Sequence, residues 1–179
     1  GWLPNLQTKD GMVNAIRNQL GRKITPVDAD LMNTFLVGIG RNLATIEASG
    51  LATGLTTLAK QLESGTYINA GVDDPYKVAG KLADIRRVAT ENIQPAIDSG
   101  LLTPQQADTA NKLVERIKKV VPYDTVEVAN AYRETLKKKG KTVGESAAEA
   151  VVPKAQEGGP YSDAEKERRY QEWKARQPQ

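Results

Sequence analysis

The stretch from Leu31 to Leu62 constrains the fold of this chain more than any other part of its sequence. Its only charged residues are Arg41, Glu47 and Lys60. In its first half, apolar residues recur at the spacing of a helix, and they are Leu31, Phe35, Leu36, Ile39, Leu43 and Ile46. Further apolar residues lie on other sides of this segment, which predicts a helix surrounded by neighbours. A second helical pattern completes a helical hairpin after Gly50 and comprises Leu51, Leu55, Leu58 and Leu62.

Capping residues and prolines divide the remainder of residues 1–140 into further helices. Three start signals place a capping side chain directly before a proline, and they are Thr25-Pro26, Asp74-Pro75 and Thr103-Pro104. Asp10 and Asp124 are expected to cap two more helices. Pro95 and Pro122 should end or kink the helices that they interrupt. No segment shows the alternating pattern of a strand, so the sequence predicts an all-α fold, a compact bundle of about six helices.

Two glycines, Gly38 and Gly40, lie inside the first helix of the hairpin. Each costs about 1 kcal/mol relative to alanine in the interior of an exposed helix. A second helix that crosses closely at this point would explain both residues. The sequence therefore predicts a close helix crossing at Gly38 and Gly40.

The absence of cysteine and histidine excludes several classes of function. Disulfides, thiolate or imidazole zinc sites, and nucleophiles activated by histidine cannot form. Carboxylates, Lys and Tyr remain, but their spacing does not indicate an acid–base pair. We therefore predict a non-enzymatic protein with no metal, cofactor or small-molecule substrate. A signal-peptide pattern and a long charge-free apolar run are also absent, so we expect a soluble chain.

The composition changes after Gly140. Residues 141–160 are mostly small and polar, which is typical of a flexible linker or a loosely held arm. Ser162 and Glu165 then form a capping box that opens a short charged helix. The predicted organisation is a helical bundle over residues 1–140, an arm over 141–160 and a charged helix over 161–179.

Aromatic residues in the last segment are the candidate partner-binding site. Tyr170 and Trp173 are three residues apart, so they share one face of the predicted helix, and Tyr161 precedes them. These residues either fold back onto the bundle or anchor the segment on another protein. The Gly-Gly-Pro sequence at 158–160 favours a tethered docking segment. We therefore predict that Tyr161, Tyr170 and Trp173 bind a protein partner.

Basic clusters are the candidate nucleic-acid contacts, and they comprise Arg86, Arg87, Lys118, Lys119, Lys137, Lys138, Lys139 and Lys141. Lysine and arginine bind the phosphate backbone of DNA without reading its sequence. The formal net charge of +3 is mild, however, and acidic residues nearly neutralise the basic ones in the last segment. Solvated helix faces are the simpler interpretation, and non-specific DNA contact is the alternative.

A predicted helical region rich in Ala, Gln, Thr and Lys is followed, near the C-terminus, by the sequence GGPYSDAEKERRYQEWKARQ at residues 158–177. In this style it resembles the C-terminal portions of the internal virion proteins of tailed bacteriophages, which are ejected ahead of the genome. The resemblance implies a protein of the virion and the bacterial host cell that associates with itself or with other virion proteins. It also implies a conduit for DNA and contact with membrane. A bacterial adaptor or regulatory module that binds a protein through its C-terminal helix is the alternative.

Overall fold

The computed structural model describes residues 1–140 and 163–176, and side chains in the latter range are described from Glu167 onward. The chain divides into two compact units, Gly1–Thr135 and Leu136–Gln179. The described elements are a 3-10 helix, η1 (Leu3–Gln7), and the α-helices α1 (Lys9–Gln19), α2 (Pro26–Ala48), α3 (Thr56–Glu63), α4 (Pro75–Asn92), α5 (Gln94–Asp98), α6 (Pro104–Val120), α7 (Thr125–Lys138) and α8 (Asp163–Arg176). Every regular element in these residues is helical, which confirms the all-α class and the helix near the C-terminus.

Side-chain caps start most of these helices, as the sequence predicts. The caps that accept a hydrogen bond from a backbone N–H three residues later include Thr25, Asp74, Thr103 and Asp124. The predicted cap of the first helix is wrong. Thr8 Oγ1 accepts from the N–H of Gly11 at 2.9 Å, and Asp10 lies inside the first turn. A carboxylate in the first turn is favourable without being the cap, because it faces the positive end of the helix dipole.

Helix α4 is the central element of the first unit, because it lies against η1, α1, α5 and α6. Its buried residues are Pro75, Val78, Ala79, Leu82, Ala83, Ile85 and Ala89. Several of them are small, and small side chains let neighbouring helices approach on more than one side. The hairpin that dominates the sequence is therefore one edge of the bundle, with α2 packed chiefly on α3.

Helix α2 buries one side only, so the prediction that neighbours surround it is wrong. Leu36 is buried, whereas Val27 is 69% exposed and Leu31 is 64% exposed. Each residue turns a helix by about 100°, so Leu31 lies roughly 140° around the axis from Leu36. A helix packed on one neighbouring layer cannot bury both positions. The apolar residues of α2 recur at helical spacing as predicted, but Leu31 lies outside the buried stripe.

The second helix of the hairpin begins at Thr56, five residues after the predicted start at Leu51. Gly50 and Gly54 both adopt left-handed backbone conformations, with φ of +79° and +80°, and hold the intervening residues in a loop. The carboxylate of Glu47 accepts hydrogen bonds from the N–H of Gly54 at 3.1 Å and from the hydroxyl of Thr56. This carboxylate therefore fixes the loop to the end of α2.

The close helix crossing occurs at Gly40 alone. A Cβ placed there would lie 2.8 Å from the Cβ of Leu62 and 2.9 Å from the carbonyl oxygen of Ala59, both on α3. A Cβ at Gly38 meets nothing within 4 Å in the described part of the chain. The prediction is thus confirmed for Gly40 and wrong for Gly38 as far as contacts inside this chain are concerned.

The segment Gly65–Asp74 joins α3 to α4 and is fixed by buried polar contacts. Asp73 is 2% exposed, and its carboxylate accepts from the ammonium group of Lys81 at 2.6 Å. The buried amide of Asn33, on α2, donates to the carbonyl of Ile68 at 2.9 Å and accepts from its N–H at 2.8 Å. Both contacts satisfy groups that would otherwise be buried without partners. The segment is therefore an integral part of the bundle.

Candidate functional site

Helix α8 displays two large aromatic side chains to solvent. The ring centroids of Tyr170 and Trp173 lie 6.1 Å apart with an angle of 30° between the ring planes, so the rings are stacked. Tyr170 is 49% exposed and Trp173 is 56% exposed. Tyr161, the third predicted partner-binding residue, lies outside the described residues. Stacked rings held on a helix are rigid apolar groups of the kind that anchor protein interfaces.

The residues beside these rings are mainly cationic. Lys174 is one turn from Tyr170, and Arg169 and Arg176 lie one turn on either side of Trp173. The acidic neighbour is Glu167, whose carboxylate accepts a hydrogen bond from the Gln171 side chain at 3.0 Å. We call the two rings with Arg169, Lys174 and Arg176 the aromatic face. Its chemistry suits an apolar surface that is edged by carboxylates.

Two of the predicted nucleic-acid contacts are engaged inside the first unit. Arg86 donates from Nη1 to the carbonyl oxygen of Val121 at 2.8 Å and thereby joins α4 to the end of α6. Arg87 pairs with Asp84 at 2.7 Å and with Glu91 at 2.9 Å. The hydrogen bond that Arg87 donates to Asp84, together with the negative charge of Asp84, raises the pKa of Arg87. Both guanidinium groups therefore have partners within the first unit.

The remaining basic residues of that prediction lie at the C-terminal ends of helices. Lys118 and Lys119 are in the last turn of α6, where Lys119 is exposed. The exposed lysines at 137–139 are at the end of α7, and Lys141 lies outside the described residues. Cations at these positions interact favourably with the helix dipole. Nucleic-acid contact by these residues stays a prediction.

A groove of about 380 Å³ runs along α4 and is lined by Tyr67, Tyr76, Lys77, Gly80, Lys81 and Asp84. Lys81 is held by Asp73 and by the carbonyl oxygen of Tyr67, to which it donates at 2.7 Å. Burial raises the pKa of Tyr67 to about 12, and the charges of Asp84 and Asp73 add to the effect. Its hydroxyl is therefore protonated at neutral pH. Two charged groups of this groove are paired, Lys81 with Asp73 and Asp84 with Arg87.

The sequence did not indicate this cluster, because it places Asp73 in a loop where capping is its ordinary role. Its burial depends on Lys81, eight residues further along the chain. A second hollow, of about 200 Å³, lies between α2 and α6 and is lined by Asn42, Thr45, Ile46, Thr109, Lys112, Leu113 and Arg116. It is smaller than typical ligand sites. In the described residues, Asp, Glu, His and Cys nowhere form a group of three that could hold a metal ion.

Among the residues that the structure describes, no helix is both long and apolar enough to cross a bilayer. Comparisons of the chain with protein-family models, with curated proteins and with solved structures gave no match.

Proposed function

We propose that this chain is a non-enzymatic assembly protein of a bacteriophage virion, which self-associates and is ejected with the genome to help DNA pass the cell envelope. The observation that carries the proposal is the aromatic face of α8, where Tyr170 and Trp173 stack on each other and remain about half exposed. Tryptophan, tyrosine and arginine are the residues that contribute most to binding at protein interfaces. This face combines all three residue types.

The first unit supports an assembly role in a second way. Its polar side chains that are buried or paired, such as Asp73 with Lys81 and Arg86 with the Val121 carbonyl, hold elements of the bundle together. These side chains are used for structure. The bundle is thus suited to be a rigid building block that α8 connects to a neighbour.

The virion assignment rests on the likeness of the sequence to internal virion proteins. A chain that self-associates through a helical segment could line a conduit, and exposed lysines such as those at 137–139 would then meet DNA phosphates. Mass spectrometry of purified virions from a phage that encodes the chain tests this narrower assignment. Its presence inside intact particles is the expected result, and its absence from them contradicts the assignment.

Sedimentation velocity of the full chain at several concentrations tests the assembly role. We expect the wild-type chain to form species heavier than a monomer as concentration rises. Trp173→Ala should weaken the association by at least tenfold, since truncation of a central aromatic anchor typically has such an effect. The control is Leu101→Ala, because Leu101 is 88% exposed and lies in the segment between α5 and α6. A wild-type monomer at every concentration would contradict self-association, and capture of a host protein by that monomer would support an adaptor.

A further inference from the structure

We propose that the receptor for α8 is the outward side of α2 around Val27 and Leu31 in a second copy of the chain. This inference rests on the proposed self-association and names the surface with which the aromatic face would pair.

Exposed apolar side chains form two pairs within the described residues. Val27 and Leu31 are one turn apart on α2, and Tyr170 and Trp173 are one turn apart on α8. The other large exposed hydrophobic residues lie in three separate segments of the sequence, and they are Val72, Leu101 and Val126. A contiguous apolar patch on the surface commonly marks an interaction site. The described residues therefore carry two such patches, on different helices.

Gly38 continues the outward side of α2, because it lies seven residues, or about two turns, beyond Leu31. Glycine is unfavourable inside a helix, yet nothing in the described chain approaches the position of a Gly38 Cβ within 4 Å. Gly40, in contrast, is explained by its contact with α3. A partner helix that approaches the α2 backbone closely at Gly38 would account for this glycine. The rings of α8 are large groups that could lie against such a flat surface.

The charges around the two patches are complementary. Asp28 and Asp30 lie on opposite sides of the Val27–Leu31 pair. On α8, Lys174 and Arg176 are beside the rings. Contact between these surfaces would place carboxylates opposite ammonium and guanidinium groups, which favours this pairing over contact between two α8 helices.

A contact between α8 of one copy and α2 of the next joins two different surfaces. Such head-to-tail contacts leave an unused patch at each end of a dimer, so further copies can add. Depending on the rotation between neighbours, the product is a closed ring or an open filament. The inference therefore predicts assemblies larger than a dimer.

Charge reversal tests the pairing in the full chain by sedimentation velocity. Asp30→Lys and Lys174→Glu should each weaken self-association, by roughly five- to tenfold, because each places like charges together. The double variant should recover most of the wild-type association. Recovery supports the proposed pairing, since a general loss of stability would make the double variant worse than either single variant. A double variant with no recovery would overturn it.

Cross-linking gives a second readout, because the wild-type chain contains no cysteine. A Thr34→Cys chain mixed with a Lys174→Cys chain should form a disulfide between two copies under mild oxidation. Thr90→Cys is the matched control: Thr34 and Thr90 are both exposed, and each donates to the carbonyl oxygen four residues earlier at 2.8 Å. Equal cross-linking through Thr90, or none through Thr34, would overturn the inference. So would a chain carrying both Thr34→Cys and Lys174→Cys that links only within itself.

These experiments separate the inference from the function on which it rests. If Trp173→Ala abolishes association but Asp30→Lys and Thr34→Cys give negative results, self-association through α8 stands and its receptor lies elsewhere. If the wild-type chain is a monomer at all concentrations, both proposals fail.

Discussion

Alanine at Gly40 and alanine at Gly38 should change the stability of the bundle in opposite directions. At Gly40 the new Cβ would lie 2.8 Å from the Leu62 Cβ and 2.9 Å from the Ala59 carbonyl oxygen, so α2 and α3 must move apart. Overpacking of this kind costs about 1–3 kcal/mol, offset by up to about 1 kcal/mol of better helix propensity. We expect Gly40→Ala to lower the free energy of unfolding by about 1–2 kcal/mol.

Gly38→Ala introduces the same methyl group on the same helix but without a contact inside the described chain. It should therefore raise the free energy of unfolding by up to about 1 kcal/mol, through helix propensity alone. Both variants gain the same helix propensity, so they should differ by the cost of overpacking alone, about 1–3 kcal/mol. This difference corresponds to midpoints of thermal unfolding that differ by roughly 2–12 °C for a chain of this size.

Urea unfolding at low protein concentration measures both effects. Trp2 is 4% exposed, and its Nε1 donates to the Arg22 carbonyl oxygen at 3.0 Å, so its fluorescence should report unfolding of the bundle. A Trp173→Phe background leaves Trp2 as the only tryptophan. The slope of the transition should stay unchanged while the midpoint moves. Equal stability of the two alanine variants, or a loss of stability in Gly38→Ala, would refute the reasoning about the α2–α3 crossing.

Three further predictions concern the interior of the first unit. Tyr123→Phe should raise the unfolding free energy by about 1 kcal/mol in urea titrations, because the buried Tyr123 hydroxyl has no hydrogen-bond partner in the described structure; destabilisation would reveal a missed partner. Asp73→Asn should lower the free energy of unfolding by about 1.5–3 kcal/mol, because the charged hydrogen bond from Lys81 is lost. An unchanged urea midpoint would show that this hydrogen bond does not stabilise the bundle. The stability of the bundle should also fall as pH rises from about 10 to about 12, because Tyr67 ionises near 10 when unfolded but near 12 when folded. Tyr67→Phe should show a shallower decline in thermal melts over that range, whereas identical declines would contradict the raised pKa of Tyr67.

Local chemistry made most helix boundaries predictable. Thr25, Asp74 and Thr103 cap helices through hydrogen bonds to residues three positions later, so the information lies within a few neighbouring residues. The start of α3 was harder to predict from the sequence. Leu51 continues the helical spacing of apolar residues, but Gly50 and Gly54 adopt left-handed conformations and keep this segment out of the helix. Glycine can adopt φ above zero anywhere, and which glycines do so in this fold depends on contacts such as the hydrogen bond from the Gly54 N–H to Glu47.

The features that could not be predicted from the sequence are those that depend on tertiary packing. The apolar period of α2 is compatible with burial of either Leu31 or Leu36, and only the neighbouring layer decides between them. The central position of α4 depends similarly on which helices meet it. For the candidate sites, sequence spacing correctly placed Tyr170 and Trp173 on one face. It could not show that Arg86 is bonded to the carbonyl of Val121, thirty-five residues away.

The most direct test of the central claim follows Trp173 itself during association. In a Trp2→Phe variant Trp173 is the only tryptophan, so its emission maximum and its quenching by acrylamide report the exposure of that ring. If α8 joins copies of the chain through its aromatic face, the emission should shift to shorter wavelength and quenching should fall as concentration raises the solution mass. A Trp173 ring that stays exposed to water while the mass increases would show that the copies associate through another surface and would contradict the account.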